Sequence, residues 1–399
     1  MPKTPTVYDV ARHVGMSTAT VSRVLRRPED VRPETRALVH AAIQELGYVP
    51  SGAARGLAAR QTGVLGLCFP DVDGIDDPAS VPAPVPAGQA VEVVVDTGQA
   101  PDVHPGNLYM GEVMRGAELE AWRTGLAVMI AVARGPASAA TVSDLAGRVD
   151  GLAVLSATVP DDVLAHIARR IPVVVMAGPG IDGDPHDHIS VDNAAGMRAL
   201  TTHLVADHGL RDLAFVGGSA DSPDDAERFL GFRAALAEAG LPVPDAPAAR
   251  GDFTRTTART LARRLLAAGD LPRALVCSND QTALGFLDEL AAAGVDVPGR
   301  VALTGFDGID AGLTASPPLT TVRQPMVELG RAAVDRLRRR MADPSLPTAT
   351  LNLPVRVLLR RSCGCAPTAR ATPGPAAAVA PRPADAAGVR RREVLPCPM

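Results

Sequence analysis

From residue 62 onward the chain alternates two kinds of segment, and that alternation constrains its fold more than any other feature. Short aliphatic runs at 64–69, 126–132, 151–155, 172–176, 213–216, 274–277 and 301–306 are separated by amphipathic stretches near 108–123, 160–169, 193–207, 225–239, 256–268 and 281–293. A strand that is apolar along its whole length must be covered on both faces, which is the situation in a parallel sheet flanked by helices. Roughly 300 residues of this pattern exceed what one sheet needs, so two α/β lobes are expected. Aromatic residues make up only 3% of the chain, so the cores must be aliphatic.

Two segments break the pattern. Residues 74–106 are rich in proline and glycine around one strand-like run, 91–95, and read as an inserted loop or hairpin. Residues 366–399 are Ala/Pro-rich without a hydrophobic period, which predicts a disordered tail. No apolar run reaches membrane-spanning length, and the amino terminus lacks an apolar signal region, so a soluble cytoplasmic protein with no membrane partner is expected.

Charge divides the chain. Residues 1–60 carry nine basic and five acidic residues, a net +4; the remainder carries 31 and 39, a net −8. A basic end on an acidic body points to a polyanion for the first part and another task for the rest. That basic end reads as short helices. Thr6 and Asp9 have capping-box spacing, with the Thr6 hydroxyl placed to serve a backbone N–H. Gly15 suits a left-handed stop, and Ser17 has the chemistry to cap a second helix beginning at Thr18. Two short helices joined at a glycine make a helix-turn-helix. Ala11 lets the helices approach, Val21 fills the space between them, and Thr18, Ala19, Ser22 and Arg23 face outward, the last able to fork onto a guanine. A third helix from Pro33 is expected to turn Leu38, Ile43 and Leu46 inward.

The run Thr6-Val-Tyr-Asp-Val-Ala-Arg-His-Val-Gly-Met-Ser-Thr-Ala-Thr-Val-Ser-Arg-Val-Leu25, followed by Pro-Glu-Thr-Arg at 33–36 and Glu-Leu-Gly-Tyr-Val-Pro at 45–50, resembles the lac repressor family of bacterial transcription regulators. The resemblance implies an all-α helix-turn-helix DNA-binding head at 1–49, then a hinge helix at 50–61. A two-lobed α/β effector domain like the periplasmic binding proteins follows. Its first lobe would take 62–177 and 307–322, and its second 178–306 and 323–365. A homodimer on a pseudo-palindromic double-stranded operator, controlled by a sugar-like small molecule in the cleft, would be its working form. In the head, Thr6, Ser17, Thr18, Ala19, Thr20, Ser22, Arg23 and Arg26 are the candidate DNA residues. In the hinge, Ala54 would keep paired helices close, and Leu57 would wedge into the minor groove. A ten-residue segment with Gly52 and Gly56 is too short and glycine-rich to hold a helix alone, as a DNA-dependent hinge requires. The head departs from the family pattern at Arg26, where Asn is common, and at Arg32, where a capping Ser is usual. Both changes add positive charge near phosphate.

The resemblance carries effector roles onto Arg228, Phe253, Asn279, Asp280 and Tyr109: a guanidinium, an aromatic face, an amide, a carboxylate and a phenol that suit a polyol. Asp192-Asn193 also matches a family motif, but capping the next helix explains it equally well.

Two competing readings are an extracytoplasmic solute-binding protein and an α/β enzyme. The basic head opposes the first. The second lacks a Gly-x-Ser-x-Gly elbow and a Gly-x-Gly-x-x-Gly after a strand. Lys3 is the only lysine, which removes a P-loop and leaves Schiff-base chemistry only a terminal residue. No cofactor is expected. Nor is a metal: Cys363-Gly-Cys365 is two ligands without a second pair, and Asp184-Pro-His-Asp-His188 reads as a polar surface loop.

Overall fold

The computed structural model describes residues 5–49, 61–71, 108–134, 137–178, 180 and 183–366. The hinge positions Ala54 and Leu57, the insert 74–106, the tail from 367 and the side chain of Arg26 lie outside the described residues.

The head comprises α1 (Val7–His13), α2 (Thr18–Arg26) and α3 (Pro33–Leu46). Val10 and Ala11, Val21 and Val24, and Val39 and Ala42 close a small core between the three helices. Ile43 and Leu46 pack against it, whereas Leu38 is 57% exposed. The buried stripe of α3 is therefore 39, 42, 43 and 46; Leu38 lies one helical position off that face.

The body contains β1 (Val64–Pro70), α4 (Leu108–Thr124), β2 (Ala127–Ala133), α5 (Ser138–Ala146), β3 (Gly151–Leu155), α6 (Asp161–Ala168), β4 (Val173–Met176) and β5 (Asp187–Val191). It continues with α7 (Asn193–Ala206), β6 (Leu213–Gly217), α8 (Pro223–Glu238), β7 (Ala249–Arg250), α9 (Arg255–Ala268), β8 (Ala274–Cys277), α10 (Asp280–Ala292) and β9 (Ala302–Asp307). Last come α11 (Asp310–Thr314), β10 (Thr320–Arg323), α12 (Met326–Ala342), β11 (Thr350–Leu353) and β12 (Arg356–Leu358).

The described strands form two six-stranded sheets. The first has the order β11-β5-β4-β3-β1-β2 and is parallel throughout. The second has the order β12-β10-β9-β8-β6-β7 and is parallel except for β12. The aliphatic strands β3, β4, β8 and β9 are buried along nearly their whole length, as their composition requires, whereas the aliphatic strand β2 at the end of the first sheet is largely exposed.

The lobe boundaries differ from those expected. Asp187–Val191 belongs to the first sheet, Thr320–Arg323 to the second, and Thr350–Leu353 to the first again. The chain thus crosses between lobes after β5, after β10 and after β11. The displaced strands are the ones with polar residues, which conceal them in the sequence. Asp187 is fully buried at the start of β5 because Arg336 of α12 donates to it at 2.8 Å and Arg340 lies 3.5 Å away. Helix α12 itself returns to the first lobe and crosses α4 at a glycine pair. A Cβ on Gly116 would sit 2.0 Å from the Val327 carbonyl oxygen, and one on Gly330 would sit 2.0 Å from that of Val113.

Candidate functional site

Local chemistry sets the geometry of the head. Gly15 has φ +67°, and the Met16 N–H donates to the Ala11 carbonyl, turning the chain between α1 and α2. The Thr6 hydroxyl donates to Asp9 at 2.7 Å, beside the Thr6 N–H at 2.9 Å, so the carboxylate gathers both groups. Ser17 caps α2: its Oγ accepts from the Thr20 N–H at 3.1 Å and lies 2.9 Å from the Thr20 hydroxyl. With Val21 and Val24 buried, Ser17, Ala19 and Arg23 are exposed and Thr18, Thr20 and Ser22 partly so. The second helix therefore presents small polar groups and one guanidinium, with backbone N–H groups at its start, the arrangement that meets phosphates and base edges. Arg32 occupies the cap position of α3 without a side-chain capping bond.

The body holds a cavity of about 350 Å³ between the lobes, lined by residues that follow the carboxyl ends of strands in both sheets. Arg228 of α8 lines it and is 4% exposed. Its Nε donates to Asn193 Oδ1 at 2.9 Å and its Nη1 to the Ser278 carbonyl at 2.9 Å; the guanidinium stacks 4.0 Å above the Phe306 ring. Asp224 and Asp307 lie 3.7 and 3.8 Å from it. The Asn193 amide in turn donates to Asp224 at 2.9 Å and to Glu227 at 3.0 Å. Asn193 is thus more than a helix-starting residue: it orients both Arg228 and Asp224.

Phe253 lines the cavity at φ +67°, a left-handed conformation. Its ring rests on Gly218, where a Cβ would come within 2.1 Å of it. Asn279 also lines the cavity, but its amide is committed: Nδ2 donates to the Phe253 carbonyl at 3.1 Å, and Oδ1 accepts from the Thr282 N–H at 2.9 Å. It fixes the strained phenylalanine and caps α10. Tyr109 of α4 contributes a buried hydroxyl with no hydrogen-bond partner among the described residues. Burial, with the charges of Asp224 and Asp307, pushes this phenol well above its ordinary pKa, so it is a donor.

Asp280 does not line the cavity. It is fully buried, accepts from the N–H groups of Gly308 and Ile309 at 2.8 and 2.9 Å, and from the Thr321 hydroxyl at 2.6 Å. These bonds hold the loop after β9 and tie it to β10. Asp307, the last residue of β9 at φ +118°, lines the cavity where Asp280 does not. Gln324 Nε2 donates to it at 2.7 Å. Burial raises Asp307 to about 6 against the pull of Arg228. Asp307, Asp224 and Gln324 escaped the sequence reading. The one signal was Asp224, one helical turn before Arg228 on the same face.

The Asp184–His188 segment is less exposed than expected. His186 and His188 are both buried, and His188 Nε2 lies 2.8 Å from Asp184 because the segment leads into β5.

A family model described as bacterial regulatory proteins, lacI family, matches residues 6–51, and one described as periplasmic binding protein-like domain matches residues 201–363. The chain is 30% identical over 362 residues to the HTH-type transcriptional repressor PurR of Photobacterium profundum, covering 90% of this chain and 98% of that one. It superposes on the lac repressor dimer bound to operator and the anti-inducer ONPF with a TM-score of 0.72, at 25% identity, over 90% of this chain and 99% of the other. A complex of the transcriptional regulator CelR with cellobiose gives a TM-score of 0.61 at 28% identity, over 90% and 99% of the two chains.

Proposed function

The chain belongs to the lacI family of bacterial regulatory proteins, and on that premise we propose that it is a repressor that reads an operator as a homodimer and is controlled by a neutral sugar or polyol. The observation that carries the reading is the pairing, on one chain, of an exposed recognition helix with an interlobe cavity built around a buried arginine. Helix α2 supplies base contacts through Thr18, Ala19, Ser22 and Arg23. Thr6, Ser17, Thr20 and Arg26 serve the sugar–phosphate backbone, and Ala54 and Leu57 act at the centre of the site.

The cavity's charge selects the effector. Asp221, Asp224, Asp252 and Asp307 line it with Arg228; Asp71 does too, and is paired with Arg134 at 2.6 Å. Carboxylates accept hydrogen bonds from hydroxyl groups and repel anions, so a polyol is favoured over a phosphate or carboxylate ligand. Phe253 offers a face for a sugar ring, and the Tyr109 hydroxyl a donor. The cellobiose complex of CelR places a sugar in a relative of this fold.

Regulation follows from linkage. An effector that prefers one arrangement of the lobes, while DNA prefers another, weakens DNA binding, and DNA weakens effector binding by the same factor.

The test is selection of bound fragments from random and genomic DNA by the purified protein, repeated with Leu57→Ala. A recovered palindrome whose central preference is lost in the variant supports the reading, and sugars that release the selected DNA identify the effector. Weak, sequence-independent binding at every salt and sugar concentration would sink it.

A further inference from the structure

The second lobe contains a cluster that neither the recognition helix nor the cavity uses. Cys363 ends a short 3-10 turn, Arg361–Cys363, and Gly364 follows at φ +101° before Cys365. His203, in the last turn of α7, and His208, just beyond it, meet the two sulfurs. Cys365 Sγ lies 3.3 Å from His203 Nε2 and 3.4 Å from His208 Nε2. Cys363 Sγ is 3.8 Å from His203 Nε2, and the two Nε2 atoms are 3.0 Å apart. All four donor atoms lie within 4.8 Å of one another. Zinc bonds of about 2.3 Å to sulfur and about 2.0–2.1 Å to nitrogen, in a tetrahedron, place donors about 3.3–3.8 Å apart. The donor atoms are thus spaced nearly as a tetrahedral zinc requires.

The surroundings orient the donors. His203 Nδ1 is 2.6 Å from the Asp207 carboxylate. A proton on Nδ1 leaves the lone pair of Nε2 facing the sulfurs, the arrangement that orients metal-bound imidazoles. The Thr320 hydroxyl, 3.0 Å from Cys363 Sγ, is placed to donate to a thiolate. One shared proton satisfies one pair of these atoms, whereas one divalent cation satisfies four, and two thiolates balance its charge.

We propose that His203, His208, Cys363 and Cys365 bind one zinc ion in a structural site that fastens the end of the second lobe to α7. The protein supplies all four positions, which marks a structural rather than a catalytic metal. The sequence concealed the site because the histidines precede the cysteines by 155 residues or more.

The full chain, produced without a polyhistidine tag, is assayed for zinc by plasma emission spectrometry. It should retain close to one zinc per chain, and cobalt exchanged into it should show thiolate-to-cobalt absorption. Cys365→Ser and His208→Ala should lose both signals, while Cys397→Ser keeps them. Asp207→Asn retains all four donors and guards against a folding defect; it should weaken zinc about 10–100-fold in competition with a chelator. Wild-type protein that is zinc-free and gives no cobalt band would overturn the proposal. So would recovery of a Cys363–Cys365 disulfide from protein purified anaerobically with reductant. Metal content is read without DNA or sugar, so this result is separate from that of operator selection.

Discussion

Arg228 joins the cavity to the protein interior, and its two aspartates depend on it. Removing the cation by Arg228→Ala would leave Asp224 and Asp307 uncompensated, at a cost of about 3–5 kcal/mol. Arg228→Lys keeps the charge but loses the fork that reaches Asn193 and Ser278. We expect Arg228→Lys to fold and bind operator, and to need at least about tenfold more effector for release, roughly 1.4 kcal/mol. A DNA-release titration would measure this, and an unchanged midpoint would remove Arg228 from the site. Asp307 makes a separate prediction. Its folded value of about 6 lies above that of an unfolded carboxylate, about 3.9. Between the two, the folded protein holds a proton that the unfolded chain has released. Its contribution to stability therefore declines as pH rises from about 4 to about 6 and is level above. Denaturant titrations across that window should show a flatter profile for Asp307→Asn than for wild type. The confusion of Asp280 with Asp307 has a physical origin. An aspartate opening a helix at the end of a strand has the same sequence signature whether it faces a ligand or anchors the neighbouring loop. Only the loop after β9 decides between them.

Elements were legible where burial was purely apolar. The aliphatic runs became strands almost residue for residue, and the amphipathic stretches became α4, α6, α7, α8, α9 and α10. Strands β5 and β10 were not legible because their buried polar groups find partners far along the chain, and β11 was not because it is mostly exposed. Asp187 waits for an arginine 149 residues later, and Thr320 for Ser362. The helix-turn-helix was legible because capping and turn chemistry are local. Its recognition helix predicts that Arg23→Ala costs about 1–3 kcal/mol at one base pair of each half-site and relaxes the preference there, read by binding to operator variants. In the second lobe, Gly218 makes room for the Phe253 ring. Gly218→Ala should displace that ring and weaken effector binding while leaving operator affinity in the absence of effector unchanged. Calorimetry and DNA binding on the same preparation would test both halves.

At the scale of the molecule, the first lobe carries exposed apolar side chains: Trp122 on α4 is 77% exposed, and Ile130 on the edge strand β2 is 52% exposed. Such side chains, one of them on a strand that ends its sheet among the described residues, suit a contact between copies. Ile130→Asp should shift the protein from dimer toward monomer in sedimentation and lower operator affinity by on the order of 2 kcal/mol or more. A variant that remains dimeric would place the interface elsewhere. The three crossings give that edge a further significance. They leave from β11 and β5, the two outermost strands at one side of the first sheet, and from β10, the strand beside β12 in the second. Strands tied along one side behave like the spine of a book, and the opposite margin has the longest lever arm. Strand β2 is five spacings from β11, about 24 Å at ~4.8 Å per strand. A turn of about ten degrees at the spine would carry the β2 margin roughly 4 Å. The cavity near the middle would move less, so such a turn would be felt more strongly at the surface proposed for the partner copy than at the pocket.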